Sequence, residues 1–285
     1  MKVLWSINAF EKNKKLQELG RDIIVELFSK KDTVTAVYIA SSAEQELALA
    51  FNIPISKRYS TYPKDILKKC LKKLKLSNLK TEIIFEKSLS LTSHVKSLVN
   101  YSKLKNIDLI IISSTSKKFF PRIILGSFAE SIIHLSRCDL LIYHQDIKFR
   151  KGMPQKIVYA HDFTPKGYLG LEKTIEYVKK WDSELIIVHV PVPEPLMTLK
   201  EFEEITLQKS HKLEKRCAKE NIKYSFLIGE SSVSFSEAIL RIAGDTKADI
   251  VAITAKSNRL EAILGGSVTR HILHESFFPT LVIKV

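Results

Sequence analysis

Two matching stretches of the sequence decide the fold. The second reads Val251-Ala-Ile-Thr-Ala-Lys-Ser-Asn-Arg-Leu-Glu-Ala-Ile-Leu-Gly-Gly-Ser-Val-Thr-Arg-His-Ile-Leu273. The first reads Leu109-Ile-Ile-Ile-Ser-Ser-Thr-Ser-Lys-Lys-Phe-Phe-Pro-Arg-Ile-Ile-Leu-Gly-Ser-Phe-Ala-Glu-Ser-Ile-Ile133. Each predicts a buried strand, a polar loop and an apolar helix. Unpaired N–H groups and the helix dipole make such a helix start a common place to hold phosphate.

The stretches belong to an internal repeat that covers the chain. Apolar runs alternate with helical spacing in the same order twice, beginning at Val3–Ile7 and again at Ile157–Ala160. Strands that are apolar throughout indicate a parallel sheet covered by helices on both faces. We therefore predict two α/β domains, at 1–146 and 154–285, joined by a linker at 147–153.

Two helix predictions in this pattern are specific. Ala43–Phe51 has helical spacing. Val233–Ala243 is predicted as a helix that ends at Gly244, because glycine commonly follows the last helical turn.

Composition places the chain among ordinary globular proteins. It is 45% hydrophobic and 27% charged, and no apolar run approaches the ~18 residues of a membrane span. The N-terminus does not have the pattern of a signal peptide. Cys70, Cys138 and Cys217 are widely spaced, which indicates neither a zinc site nor disulfides. We expect no integral membrane segment and a cytoplasmic location.

These features resemble the universal stress protein family, in a tandem form with two family domains. The resemblance implies sheets of strand order 3-2-1-4-5 and a stress-response function without catalysis. It also implies that the domains pair within the chain as a pseudo-dimer, Leu140–Tyr143 meeting Leu281–Val285, and leaves open a further homodimer. Nucleotide-binding members carry an Asp near the base and a loop written G-x-x-G-x9-G-[ST].

The second half retains part of that nucleotide site. Asp162 follows the first strand, where it can serve either the base or the local loop. Thr254 and Ser257 stand where the first two glycines belong, and the spacing to Gly266 is one residue short. The resemblance implies that ATP or another small anion, not a required cofactor, contacts Asp162, Val190, Thr254, Ser257, Gly266, Ser267 and Val268.

The first half departs further from the family pattern. Asn8 replaces the Asp, Ser113 and Ser116 replace both glycines, and Gly126-Ser127 is kept. A residue with a Cβ forced into the left-handed region costs about 1–2 kcal/mol. We therefore expect ATP, if it binds, in the second half. The alternative for both Gly-Ser pairs is that they only start a helix packed on the sheet.

The sequence predicts neither catalysis nor a metal site. It contains none of the common nucleotide-hydrolase, esterase or zinc-protease motifs. Adjacent residues at a strand end point to opposite faces, so His161 and Asp162 are not expected to work as a pair. His271 and His274 have metal-compatible spacing but no evident partner ligand.

Positive charge concentrates in the first half. The chain carries +14, with 26 Lys+Arg against 14 Asp+Glu in residues 1–150. A predicted helix there has an apolar stripe and a basic face. The face is either simply solvated or binds a polyanion, an anionic membrane surface or an acidic protein. Lysine rather than arginine argues against sequence-specific reading of bases. The basic face comprises Lys64, Lys68, Lys69, Lys72, Lys73 and Lys75.

Overall fold

A computed structural model of the chain describes residues 1–8, 13–41, 62–76, 78–88, 90–114, 127–191, 199–255 and 267–285. These residues divide into two units, Met1–Asp146 and Ile147–Val285. Each unit is described below by itself.

Unit 1 is an open parallel sheet with helices between its strands. The strand order is β3-β2-β1-β4-β5, and every neighbouring pair is parallel. Its elements are β1 (Lys2–Ser6), α1 (Lys14–Leu27), β2 (Thr33–Ser41), α2 (Tyr62–Lys73), β3 (Lys80–Glu86), α3 (Leu91–Leu104), β4 (Leu109–Ser114), α4 (Ser127–Leu135) and β5 (Asp139–His144).

Unit 2 repeats this topology. The strand order is β8-β7-β6-β9-β10, again parallel throughout. Its elements are β6 (Lys156–Ala160), α5 (Pro165–Trp181), β7 (Glu184–His189), α6 (Leu199–Lys219), β8 (Tyr224–Ile228), α7 (Phe235–Asp245), β9 (Ile250–Ala255), α8 (Ser267–Glu275) and β10 (Thr280–Lys284). The predicted fold, a repeated α/β sheet of order 3-2-1-4-5, is confirmed.

The core of each unit lies along its central strands. Leu109–Ile112 in β4 and Ile250–Ile253 in β9 are buried on every residue. Strands covered on both faces can be apolar without alternation, and this is why the two runs gave so clear a sequence signal. Within the described ranges, none of the helices is long and apolar enough to span a bilayer.

A close contact between the first helix and the sheet recurs in both units. In unit 2 the Tyr159 hydroxyl, on β6, donates to the Gly167 carbonyl of α5 at 2.6 Å and lies 2.7 Å from Thr254 Oγ1. A Cβ on Gly170 would lie 2.5 Å from that tyrosine hydroxyl and would overlap Thr254 Oγ1. Only a glycine at 170 leaves room for the two hydroxyls.

Unit 1 has a corresponding contact with different groups. Trp5 Nε1, on β1, donates to the Tyr143 hydroxyl over 3.4 Å, and Gly20 of α1 faces both rings. A Cβ on Gly20 would overlap the tyrosine hydroxyl. In both units a glycine therefore allows the first helix to pack close to an aromatic side chain of the sheet.

The predicted end of one helix was wrong. The helix predicted to stop at Gly244 is α7, which continues to Asp245 with Thr246 as its C-cap. The Lys247 N–H bonds to the Gly244 carbonyl, and it is Lys247 that takes the left-handed conformation, at φ +56°. Glycine was thus not needed to end this helix. The helix predicted over Ala43–Phe51 lies outside the described residues.

These contacts predict opposite effects for two glycine substitutions in unit 2. We expect Gly170→Ala to lower the free energy of unfolding by about 1–3 kcal/mol, because the new methyl displaces a packed hydroxyl. Gly244→Ala meets open space, so it should be neutral or stabilising by up to about 1 kcal/mol. Urea unfolding followed by Trp181 fluorescence, with Trp5 replaced by Phe, measures this unit alone. Equal stability of the two alanine variants would contradict the packing described.

Candidate functional site

The carboxyl ends of β6, β7 and β9 bring together several of the residues that the sequence singled out. The chain leaves β6 through His161, Asp162 and Phe163 before α5 begins. It leaves β7 at Val190, and Thr254 lies near the end of β9. In open α/β sheets this end, where the strand order reverses, is where ligands usually bind.

Asp162 holds the turn into α5. Its Oδ1 accepts from the Thr164 N–H at 3.0 Å and from the Thr164 hydroxyl at 2.7 Å. Thr164 in turn caps α5 by accepting the Gly167 N–H at 3.1 Å. Asp162 itself is exposed. Of its two predicted roles, the structure shows the one in the loop, while contact with a base stays a prediction.

His161 points the other way, into the protein, as predicted for neighbours at a strand end. Its side chain is 3% exposed and Nδ1 accepts the Phe163 N–H at 3.0 Å. That bond places the proton of the neutral ring on Nε2, for which the described residues provide no hydrogen-bond partner. The ring packs edge-on against Tyr168, Phe163 and Tyr159, with centroids 4.8, 5.1 and 5.8 Å away.

This environment keeps His161 uncharged. Burial lowers the pKa of its imidazole to about 4, against the opposing attraction of Asp162 and with a smaller contribution from His189. His189 donates from Nδ1 to the His161 carbonyl at 2.9 Å, and burial lowers its pKa as well. The two histidines therefore stabilise the loop after β6 by hydrogen bonds that neutral imidazoles make.

Phe163 forms the surface of this strand end. Its backbone is left-handed, with φ +57°, a conformation that costs a non-glycine residue energy. The ring lies 4.3 Å from the His189 ring and 6.3 Å from Phe226, between centroids. Val190, the next residue after His189, is buried and faces Gly229.

Two cations from α6 lie over this aromatic surface. Lys209 Nζ is 5.3 Å from the Phe163 ring centroid, and Lys212 Nζ is 4.9 Å from the Tyr168 ring centroid. Both lysines are exposed, whereas Leu213 and Cys217 of the same helix are buried. Sequence reasoning missed these lysines, because only the packing of α6 brings them near β6. Their signal was the i, i+3 spacing on one helix face.

The Thr254 hydroxyl is already engaged. Tyr159 has one hydroxyl proton and gives it to the Gly167 carbonyl, so the Thr254 hydroxyl must donate its own proton to Tyr159. An oxygen whose proton is used in this way cannot also donate to a phosphate. Thr254 therefore contributes to the packing of α5 while this arrangement stands.

The rest of the predicted phosphate loop is described only in part. Val268 is half-buried in the first turn of α8. Ser267 begins that helix, although its side chain is not described. Ser257 and Gly266 lie outside the described residues. Among the residues that are described, no group of three or more His, Cys, Asp or Glu side chains could hold a metal ion.

The corresponding strand ends of unit 1 form a different surface. Asn8 and Ser113 come together in a small cleft that opens to solvent. The lining side chains that the structure describes are all neutral: Trp5, Ser6, Ile7, Asn8, Leu16, Gln17, Ser113 and Tyr143. Ser127 begins α4 and is exposed, while Ser116 and Gly126 lie outside the described residues.

Comparison with protein families identifies the class. The model of the universal stress protein family matches twice, at residues 23–144 and 153–284. The chain therefore belongs to the universal stress protein family and carries two of its domains. A comparison with curated proteins found no significant match.

Solved structures share the fold across both units. A universal stress protein from Archaeoglobus fulgidus is 17% identical with a TM-score of 0.66, covering 99% of this chain and 98% of that one. A putative universal stress protein from Pseudomonas aeruginosa is 14% identical with a TM-score of 0.66, covering 99% and 92%. A universal stress protein from Archaeoglobus fulgidus in complex with dAMP is 17% identical with a TM-score of 0.38, covering 46% and 99%.

The buried histidine predicts a pH dependence of stability. The unfolded chain binds a proton at His161 below about pH 6.5, whereas the folded chain binds it only below about pH 4. The free energy of unfolding should therefore fall as pH drops through this window, by on the order of 2–3 kcal/mol from this residue. His161→Asn keeps an acceptor for the Phe163 N–H and removes the titration. Urea unfolding at pH 7 and 4.5 should show a smaller loss for the variant; equal losses would contradict the account.

Proposed function

We propose that this chain is a non-catalytic stress-response protein whose second unit binds a nucleotide such as ATP, or another small phosphorylated anion. The ligand would lie at the carboxyl ends of β6, β7 and β9. Family membership supports the role in stress response, and the aromatic surface with its two lysines supports the binding.

The observation that carries the proposal is the position of Lys209 and Lys212 over Phe163 and Tyr168, beside Asp162. A flat aromatic ring suits a nucleobase, which can stack on it. An exposed ammonium group suits a phosphate, to which it donates charge-assisted hydrogen bonds. One strand end thus offers both kinds of contact.

Unit 2 is a better site for a phosphorylated ligand than unit 1. The described residues that line the cleft at Asn8 and Ser113 all have neutral side chains, so none of them supplies a cation to neutralise a phosphate. A buried anion without a cation or several donors is costly. We therefore assign the anionic ligand to the second unit.

The phosphate donors in this proposal differ from those of the family loop. Thr254 has no proton to give while it bonds Tyr159. Among the described residues, the donors left are the two lysines and the N-terminal N–H groups of α8, a helix of nine residues. The family residues of the loop are replaced in part by cations from a neighbouring helix.

The absence of catalysis is proposed from the surroundings of the two best candidate bases. His161 is buried, uses Nδ1 within the loop and presents Nε2 to aromatic rings. Asp162 holds the start of α5 through Oδ1. A general base must reach the proton that it removes; the buried His161 is not placed for that, and Asp162 is held in the loop by its bonds to Thr164.

Equilibrium dialysis with ATP and AMP tests the proposal. We expect saturable binding at up to millimolar nucleotide, one site per chain. Replacing Lys209 and Lys212 by Ala should weaken binding by roughly 5- to 30-fold, the effect of losing about 1–2 kcal/mol of phosphate contact. The matched control replaces Lys215 and Lys219, exposed lysines further along α6.

Two results would count against this function. Absence of saturable binding at millimolar nucleotide would remove the ligand from the proposal. Equal weakening in both double variants would mean that the general charge of α6, and not the two lysines over the aromatic rings, attracts the nucleotide.

A further inference from the structure

The exposed face of α2 in unit 1 is a fixed array of cations. Leu67, Cys70, Leu71 and Leu74 are buried and attach the helix to the rest of the unit. Because this side of the helix is packed, the lysines on its other side stand on a rigid scaffold and not on a loose tail. All six are exposed: Lys64, Lys68, Lys69, Lys72, Lys73 and Lys75.

The lysines within α2 form two rows. Lys64, Lys68 and Lys72 follow one another at intervals of four residues, and Lys69 and Lys73 form a second row with the same interval. Neighbours in a row therefore lie one above the other, and the rows stand about 100° apart around the axis. Lys75 follows just beyond the helix, in a left-handed conformation at φ +58°.

The described residues offer these charges little compensation. Asp65 is the one acidic residue in the helix and lies in its first turn. Within the described ranges, none of the six lysines takes part in an ion pair. Like charges four residues apart on a helix repel each other. An anionic partner would relieve that repulsion, which makes this face a candidate binding surface.

We propose that the two lysine rows of α2 bind the backbone of double-stranded nucleic acid without reading its sequence. The occupant would be a duplex lying against the exposed half of the helix, with phosphates of its two strands meeting one row each. This surface is in unit 1 and does not depend on the ligand proposed for unit 2.

The chemistry of the face favours a duplex over the other anionic partners. Its apolar stripe of Leu67, Cys70, Leu71 and Leu74 is buried and Ile66 is half-buried, which leaves little apolar surface on the described side chains to enter a bilayer as an interfacial helix does. Because the rows point about 100° apart, a flat membrane surface would contact the lysines of one row more closely than those of the other. A major groove about 12 Å wide instead admits a helix between two phosphate strands, so that both rows can contact phosphates.

The residues of this face do not favour sequence-specific recognition of bases. Residues 63–75, which hold all six lysines, contain no arginine and no aromatic residue, and Tyr62 at the start of α2 is the helix's single aromatic residue. Arginine is the usual bidentate reader of bases, and aromatic rings are the usual platforms for single strands. Lysines act as point charges, which suits phosphates of any sequence.

Fluorescence anisotropy of the full chain with a labelled duplex of about 20 base pairs tests the proposal. The test variant replaces Lys64, Lys68, Lys69, Lys72 and Lys73 by Gln. The control variant replaces five other exposed lysines of unit 1 by Gln, so that both have the same net charge: Lys14, Lys15, Lys30, Lys96 and Lys103. Circular dichroism confirms that both variants fold.

We expect the test variant to bind at least about tenfold more weakly than the control, with a slope of log K against log salt reduced by about 3–5, since each phosphate contact contributes about 0.9. Duplexes of unrelated sequence should bind alike. Equal losses in the two variants, tighter binding to the matching single strand, or binding to phosphatidylserine vesicles but not to duplex would each overturn the proposal.

Discussion

The hydroxyl chain from Thr254 through Tyr159 to the Gly167 carbonyl is the constraint on which the second unit depends. It joins β9, β6 and α5 in two hydrogen bonds of 2.7 and 2.6 Å, and it fits only because residue 170 has no side chain. By fixing the start of α5 it also sets the turn in which Asp162 bonds Thr164, the N-cap of the helix, and His161 points inward. The same pair of hydrogen bonds uses the Thr254 hydroxyl proton, which could otherwise be donated to a phosphate. Packing and ligand chemistry therefore compete for one residue.

The two units show how one fold can carry different surfaces at the same strand ends. Both begin with an aromatic residue of the first strand packed against a glycine of the first helix. In unit 1 that residue is Trp5, and the described side chains that line the neighbouring cleft are neutral. In unit 2 the strand end carries Phe163 with a lysine above it. The charge of unit 1 is instead displayed on α2, away from its strand ends in sequence. The units thus differ in where each presents charge, although their sheets have the same order.

The fold could be predicted from the sequence because its signals are local and repeated. The apolar runs at Leu109–Ile112 and Ile250–Ile253 and the alternation of strands and helices are enough to give two parallel sheets. The candidate site was harder to predict from the sequence, because its residues come from separate elements that are brought together only by packing. The lysines above Phe163 and Tyr168 come from α6, about 45 residues along the chain, and no sequence motif indicates them. The role of Thr254 depends on a proton count that requires Tyr159 in place. Asp162 was recognised by position, but its bond to Thr164 needed coordinates.

The central claim is that the second unit, and not the first, receives an anionic nucleotide. The most direct measurement is an NMR titration with AMP that follows the ring signals of His189 and the indole N–H of Trp5, one reporter beside each strand end. The account predicts that the His189 signals move in a saturable manner while the Trp5 indole does not. Saturable movement of Trp5 with His189 unchanged would place the ligand in unit 1 and contradict the account.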